Sequence, residues 1–291
     1  MVGAYGDETR GFQAGAVHLF YGPITRDLTT ADADAAIYGE YSYQWFGWAV
    51  DSSGDLNGDG YDDVVVTAEN DANNGCQTGK VFVFYGPLSG VSIATSASAQ
   101  LIGNVLGDGA GASVSTGGDV NADGYDDLLI GAGGIGCTAY EGIGHAYLMY
   151  EPLFGVYDLS QADAVMEGAQ IEDGTGESVA LGDFDQDGHA EVVVAAPSYI
   201  LRDGEEGQVY ILRHPVEGLI PLHEVETFLR GDLSGGFAGS GLAVGNVNGD
   251  GYTDLVVGAS GSRNTSTPGR LYLELGGPLR TSARDAGKTP R

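Results

Sequence analysis

Four short apolar runs punctuate the chain at nearly constant intervals: Val64-Val65-Val66, Leu128-Leu129-Ile130, Val192-Val193-Val194 and Leu255-Val256-Val257. Each is too short for a helix, rich in branched residues and bounded by polar turn residues, and so predicts a strand buried on both faces. Downstream of each run, apolar and aromatic residues alternate and then stop at a proline: 81–87, 146–152, 209–215 and 271–278, with a further copy at 17–23. Proline has no N–H to give a ladder and ends the strand. A glycine-rich stretch precedes each apolar run (46–50, 111–114, 176–179, 239–242), and a short strand closing on glycine follows each of the first four prolines (37–39, 101–103, 165–168, 228–231). Numbered 1 to 4, these strands form an antiparallel unit, and no segment shows helical periodicity. The chain enters at strand 2 of one unit and leaves after strand 3 of another.

The link between strands 1 and 2 carries the chemistry. Four nine-residue loops begin 64, 64 and 63 residues apart, at Asp55, Asp119, Asp183 and Asn246. Side-chain oxygens recur at positions 1, 3, 5 and 9, and position 7 can add its backbone carbonyl. The predicted ligand sets are Asp55, Asn57, Asp59, Tyr61 and Asp63; Asp119, Asn121, Asp123, Tyr125 and Asp127; Asp183, Asp185, Asp187, His189 and Glu191; and Asn246, Asn248, Asp250, Tyr252 and Asp254. An all-oxygen set in a tight loop suits a hard cation, Ca²⁺ first. Position 6 is glycine throughout, as a sharp turn at positive φ requires. An EF-hand also opens this way, but it needs Glu at position 12 and flanking helices. Here position 12 is Val66, Ile130, Val194 or Val257, inside the apolar run. By formal charge, loop 183–191 with four carboxylates should bind most tightly and loop 246–254 with two should empty first.

Charge then narrows the partners. The net charge is −29, and 14 of the 41 acidic residues lie in the four loops, which leaves 27 acids against 12 bases. That excess argues against nucleic acid and anionic membrane. No stretch is long enough to span a bilayer, and Met1-Val2-Gly3-Ala4 lacks the basic and apolar regions of a secretory signal.

A fixed period carrying one loop four times marks a repeat architecture. Four antiparallel strands per unit, with small residues on strand 1, fit the blade of a β-propeller. The sequence resembles the FG-GAP repeats of the integrin alpha-chain N-terminal domain and their bacterial relatives: Phe46-Gly47 supplies the FG element, and Ala195-Ala196-Pro197 and Gly258-Ala259 approximate the GAP element. The resemblance implies an all-β propeller over residues 1–279 in about five units (1–39, 40–103, 104–168, 169–231, 232–279), with a disordered tail at 280–291. It also implies up to four Ca²⁺ on one face and a ligand side formed by the 2–3 and 4–1 loops on the other. Family propellers close with seven blades, so this chain is read either as part of a larger ring or as an incompletely closed one.

Tyr41, Tyr43 and Trp45 straddle a 4–1 loop and are the candidate ligand-face residues; Phe46 and Trp48 are read as packing residues. Arg230-Gly231-Asp232 spells a tripeptide that integrins recognise, but Gly231 is also the strand-4 glycine, which is the simpler reading. Cys76 and Cys137 occupy similar places in adjacent units, where either a bridge or two thiols would fit. Asn264-Thr265-Ser266 matches a glycosylation sequon. The five histidines are scattered, and no hydrolase elbow, metalloprotease pair or phosphate loop occurs. The reading is a non-catalytic, calcium-stabilised extracellular or cell-surface module that binds a protein or glycan ligand. The alternative is an accessory propeller of a larger secreted enzyme of the lyase or phospholipase type.

Overall fold

In the computed structural model, residues 1–72, 77–134, 142–200, 206–261 and 268–278 are described. Cys76, Cys137, the 264–266 sequon and the 280–291 tail lie outside them. The described chain is all-β, with single 3₁₀ turns as its only helical pieces. It forms five sheets in blade order. The first contains Val2–Ala4, Ala16–Leu19 and Ala35–Tyr38; the second Val50–Asp51, Val64–Ala68, Lys80–Phe84 and Ala99–Ile102. The third contains Ala110–Ser115, Leu128–Ala132, His145–Met149 and Ala164–Glu167, and the fourth Val179–Gly182, Glu191–Ala196, Gln208–Leu212 and Phe228–Arg230. The fifth contains Ala238–Gly245, Asp254–Ala259 and Arg270–Glu274. Strands within each blade are antiparallel.

The first three apolar runs are buried on both faces because each interior blade packs against two neighbours; in the fifth blade Val256, between buried Leu255 and Val257, is only half-buried, short of the expectation. Val64, Val66, Phe82 and Phe84 join Val17, Ile37 and Phe46 between the first two blades, while Val65, Val81 and Val83 turn the other way, onto Leu128, Ile130 and Tyr147. The next seam gathers Leu129, Leu148, Val192, Val194 and Tyr210, and the last Val193, Ala195, Val209, Leu255 and Val257. Removing such side chains from water, at about 1.5–3 kcal/mol each, makes the seams the main source of cohesion.

Two features go beyond the four-strand unit read from the sequence. After its strand 3, the chain crosses to the preceding blade and adds a parallel strand at that blade's outer edge. Gly90–Ile93 pairs with Ala35–Tyr38, Gly155–Asp158 with Ala99–Ile102, and Gly218–Pro221 with Ala164–Glu167. Sheet membership therefore overlaps the repeat boundaries. Strand 1 of the second blade is also shorter than predicted, at Val50–Asp51, and Phe46 bonds to the neighbouring blade: its N–H donates to the Ala14 carbonyl at 3.2 Å and it bridges to Gly15. The same seam recurs as Gly79 against Ala110 and Gly144 against Thr175. A Cβ on Gly79, whose φ is +78°, would lie 2.0 Å from the Ala110 carbonyl oxygen.

Candidate metal centres and the opposite face

Strands 1 and 2 run antiparallel, so all four acidic loops emerge at one end of the blades. The first two are near copies. In loop 55–63 the Asp59 N–H donates to both Asp55 Oδ1 at 3.1 Å and Asn57 Oδ1 at 2.8 Å, and the Gly60 N–H donates to Asp55 Oδ2 at 2.8 Å. In loop 119–127 the Asp123 N–H reaches Asp119 and Asn121 at 3.1 and 2.9 Å, and the Gly124 N–H reaches Asp119 at 2.8 Å. Sharing one N–H draws the side chains of positions 1 and 3 together. Gly60, Gly124, Gly188 and Gly251 all have positive φ, +88°, +94°, +89° and +99°, as their place in the loop predicted. Position 4 is left-handed as well, and there Ala122 and Gln186 stand at +58° and +59° where the other loops have glycine.

Position 9 plays a part the sequence did not reveal. Asp63, Asp127, Glu191 and Asp254 are all buried. Each accepts the N–H of position 2, from Leu56, Val120, Phe184 and Val247, at 2.7–2.9 Å. Asp63 and Asp254 spend their second oxygen on Gly86 and Gly276 N–H, and Asp127 on Glu151 N–H, just past strand 3. These carboxylates therefore brace the loop against strand 3. Burial, reinforced by the other loop carboxylates, pushes Asp127 and Glu191 up to about 7 and raises Asp63. Such a set is stabilised by a cation, and the donors are all oxygen, so the residues fit Ca²⁺.

Among the described residues, one group of three acidic side chains closes to within 4.8 Å, Asp183, Asp185 and Asp187, with Glu191 outside it. Its backbone pattern matches the first two loops: Asp187 N–H donates to Asp183 and Asp185, and Gly188 N–H to Asp183. Loop 246–254 differs, because Asn246 Oδ1 accepts from Gly249 N–H at position 4. Tyr61, Tyr125, His189 and Tyr252 each give their N–H to the position 5 carboxylate, and the ring of His189 leans on the Val120 carbonyl at 3.0 Å. Adjacent loops touch through their backbones: Asp126 N–H donates to the Asp55 carbonyl and Ala190 N–H to that of Asp119.

The other end of the blades carries the aromatic residues. Trp45 and Trp48 stack at 5.5 Å, Tyr5 meets Trp48 edge-on at 5.1 Å, and Phe12 lies 5.2 Å from Tyr43. Tyr43 is 57% exposed and Trp48 40%, so Trp48 is a surface residue rather than packing. Phe46 is fully buried against Phe82 and Phe84, as the FG reading requires. Tyr41 donates its hydroxyl to buried Asp71, which also accepts from Gln44 at 3.2 Å. Tyr5 and Phe12 were missed because they lie far upstream in sequence. The tripeptide is engaged internally: Arg230 bonds Gln208 at 2.9 Å, and Asp232 pairs with Arg270 at 2.8 Å and with Tyr272.

The FG-GAP repeat family model matches residues 46–84, 110–147, 175–212 and 238–273. Human integrin alpha-X is 36% identical over 141 residues, covering 46% of this chain and 11% of that protein. Integrin alpha-4 of Xenopus laevis is 32% identical over 195 residues, 63% of this chain and 17% of that protein. Bovine phosphatidylinositol-glycan-specific phospholipase D is 33% identical over 154 residues, 50% and 18%. The chain thus spans less than a fifth of the length of each of these three relatives.

Proposed function

The chain belongs to the FG-GAP repeat family, and from that premise we propose that it is a calcium-stabilised, non-catalytic binding module of an extracellular or cell-surface protein. The observation that carries the reading is the division between the two ends of the blades. One end repeats an oxygen-rich loop four times, and the other presents exposed aromatic rings without a repeat. Calcium held in the loops would neutralise the carboxylates and lock strand 1 to strand 2, leaving the opposite face to bind a protein or glycan. Extracellular modules of this kind work at Kd values of about 10⁻⁴–10⁻³ M, a range matched to calcium outside cells. Aromatic residues supply large contact areas at low entropic cost, which suits them as binding anchors. The test is binding to immobilised glycan and cell-surface protein panels by wild type and by Tyr43→Ala and Trp45→Ala. Loss of one ligand class in both variants, with melting temperature and calcium response kept, supports the reading; binding unchanged in both rejects this face.

The similarity to a phospholipase D favours a second reading, an accessory propeller beside a catalytic domain. A catalytic domain encoded in the same gene, with turnover that depends on this propeller, would decide for it.

A further inference from the structure

Three blades close their third strand with the same device. Two residues before the proline stands a tyrosine whose hydroxyl donates across the seam to a backbone carbonyl of the next blade's segment: Tyr21 to Leu88 at 2.6 Å, Tyr85 to Leu153 at 2.7 Å and Tyr150 to Val216 at 2.9 Å. In the fourth blade this position is Arg213, and its side chain turns back into its own blade. One guanidinium nitrogen lies 2.5 Å from Asp185 Oδ2 and 3.6 Å from Glu191 Oε1. Both carboxylates are 3% exposed, whereas Arg213 is 42% exposed and covers them from the solvent side. His214 Nδ1 lies 3.8 Å from Asp187 on the same loop. Among the described residues, Arg213 is the one Arg or Lys in an ion pair with any of the four loops.

We propose that Arg213 is a resident counter-ion of loop 183–191, which lets this loop keep its form without calcium and weakens its calcium affinity below what four carboxylates would give. The inference rests on the calcium reading above. Arginine holds its charge at any physiological pH, so the effect is permanent. Four carboxylates and one guanidinium leave a net −3, the same as loops 55–63 and 119–127, so the lead that formal charge gave this loop disappears. A cation entering the loop must also displace the guanidinium from Asp185 or share that carboxylate with it. A fixed positive charge a few ångströms away, partly screened by solvent, changes affinity by about five- to tenfold. The arginine would thus hold one loop of the four in form before calcium arrives, while the other three depend on calcium for theirs.

The test restores the tyrosine found in the other blades. Arg213→Tyr, with Arg213→Gln as a second variant free of any new ring packing, is titrated with calcium while the amide signals of Gly60, Gly124 and Gly188 are followed by NMR. The calcium midpoint at Gly188 should tighten about five- to tenfold in both variants, with Gly60 and Gly124 unmoved. In chelator both variants should melt below wild type, and saturating calcium should close most of that gap. A Gly188 midpoint that stays within twofold of wild type or weakens in both variants overturns the proposal, as does a stability loss equal with and without calcium. If none of the three glycines responds to calcium in wild type, the calcium reading itself fails and this inference with it. Response at Gly60 and Gly124 but never at Gly188, in wild type or variants, overturns the role of Arg213 alone.

Discussion

The two ends of the blades obey different rules. At the loop end, four segments reproduce one hydrogen-bond pattern with small departures, such as Asn246 turning to Gly249. At the other end, equivalent positions diverge: Trp48, Ala112, Glu177 and Ser240 each follow the strand-1 glycine, and among the described residues the aromatic cluster forms beside the first two blades. A structural ion imposes the same ligand geometry on every copy, whereas a recognition surface gains from difference between copies. Stability should therefore depend on the loop end and the seams, and ligand choice on the opposite end.

The sharpest way to break this contrast is to remove the metal. At Kd near 10⁻⁴ M, millimolar calcium contributes about 1.4 kcal/mol per loop and about 5–6 kcal/mol over four. Chelation should lower Tm by roughly 10 °C in scanning fluorimetry, with Mg²⁺ a poor substitute because it demands a tighter octahedral shell. A Tm indifferent to EDTA would end the claim that the loops stabilise the fold.

The next largest effect belongs to the seams. Gly79→Ala places a Cβ 2.0 Å from the Ala110 carbonyl at a positive φ, and should cost about 3 kcal/mol or more in urea unfolding. The loss should be the same with and without calcium, separating seam packing from metal binding.

A pH scan probes the aromatic end. Glu69, just past strand 2, is buried, and burial, with Glu177 nearby, pushes its pKa from the ordinary 4.5 up to about 7. Between those values the folded state holds a proton that the unfolded chain releases, so stability falls as pH rises from about 4.5 to 7. Glu69→Gln should flatten that part of the profile in chelated protein; an unchanged slope would remove Glu69 as its source.

The smallest effects test the loop backbone. A Cβ at Gly124 meets no atom within 4 Å, so Gly124→Ala should cost only the left-handed strain, about 1–2 kcal/mol, with weaker calcium binding. Ala122→Gly should shift the other way, by up to about 1 kcal/mol, since position 4 is left-handed too. Chemical denaturation of the pair measures both signs.

Much of this was legible in residues. The runs at Val64, Leu128, Val192 and Leu255, the prolines that follow strand 3 and the loop glycines located strands, turns and positive φ, because each obeys local chemistry. The crossing strands were not, since Gly90–Ile93, Gly155–Asp158 and Gly218–Pro221 are short and pair with strands of another unit. A glycine followed by an apolar residue at Gly90, Gly155 and Gly218 was the available signal. Arg213 was overlooked because its meaning lies in a comparison, as the one polar cation aligned with Tyr21, Tyr85 and Tyr150. Position 9 was read only as a ligand, because sequence shows which groups are present and not which N–H groups they accept.

The crossing strands also set an order in time. A blade whose outermost strand is supplied by the following unit stays unfinished while that unit is still being synthesised: the sheet that begins at Val2 is complete only when Ile93 has left the ribosome, and the one that begins at Val50 only after Asp158. Until then the outer edges at Ala35–Tyr38 and Ala99–Ile102 present unpaired backbone, the kind of surface that captures stray strands. Each of the first three units therefore matures one step behind its own translation, and the nascent chain is most in need of protection at its most recently made blade among them.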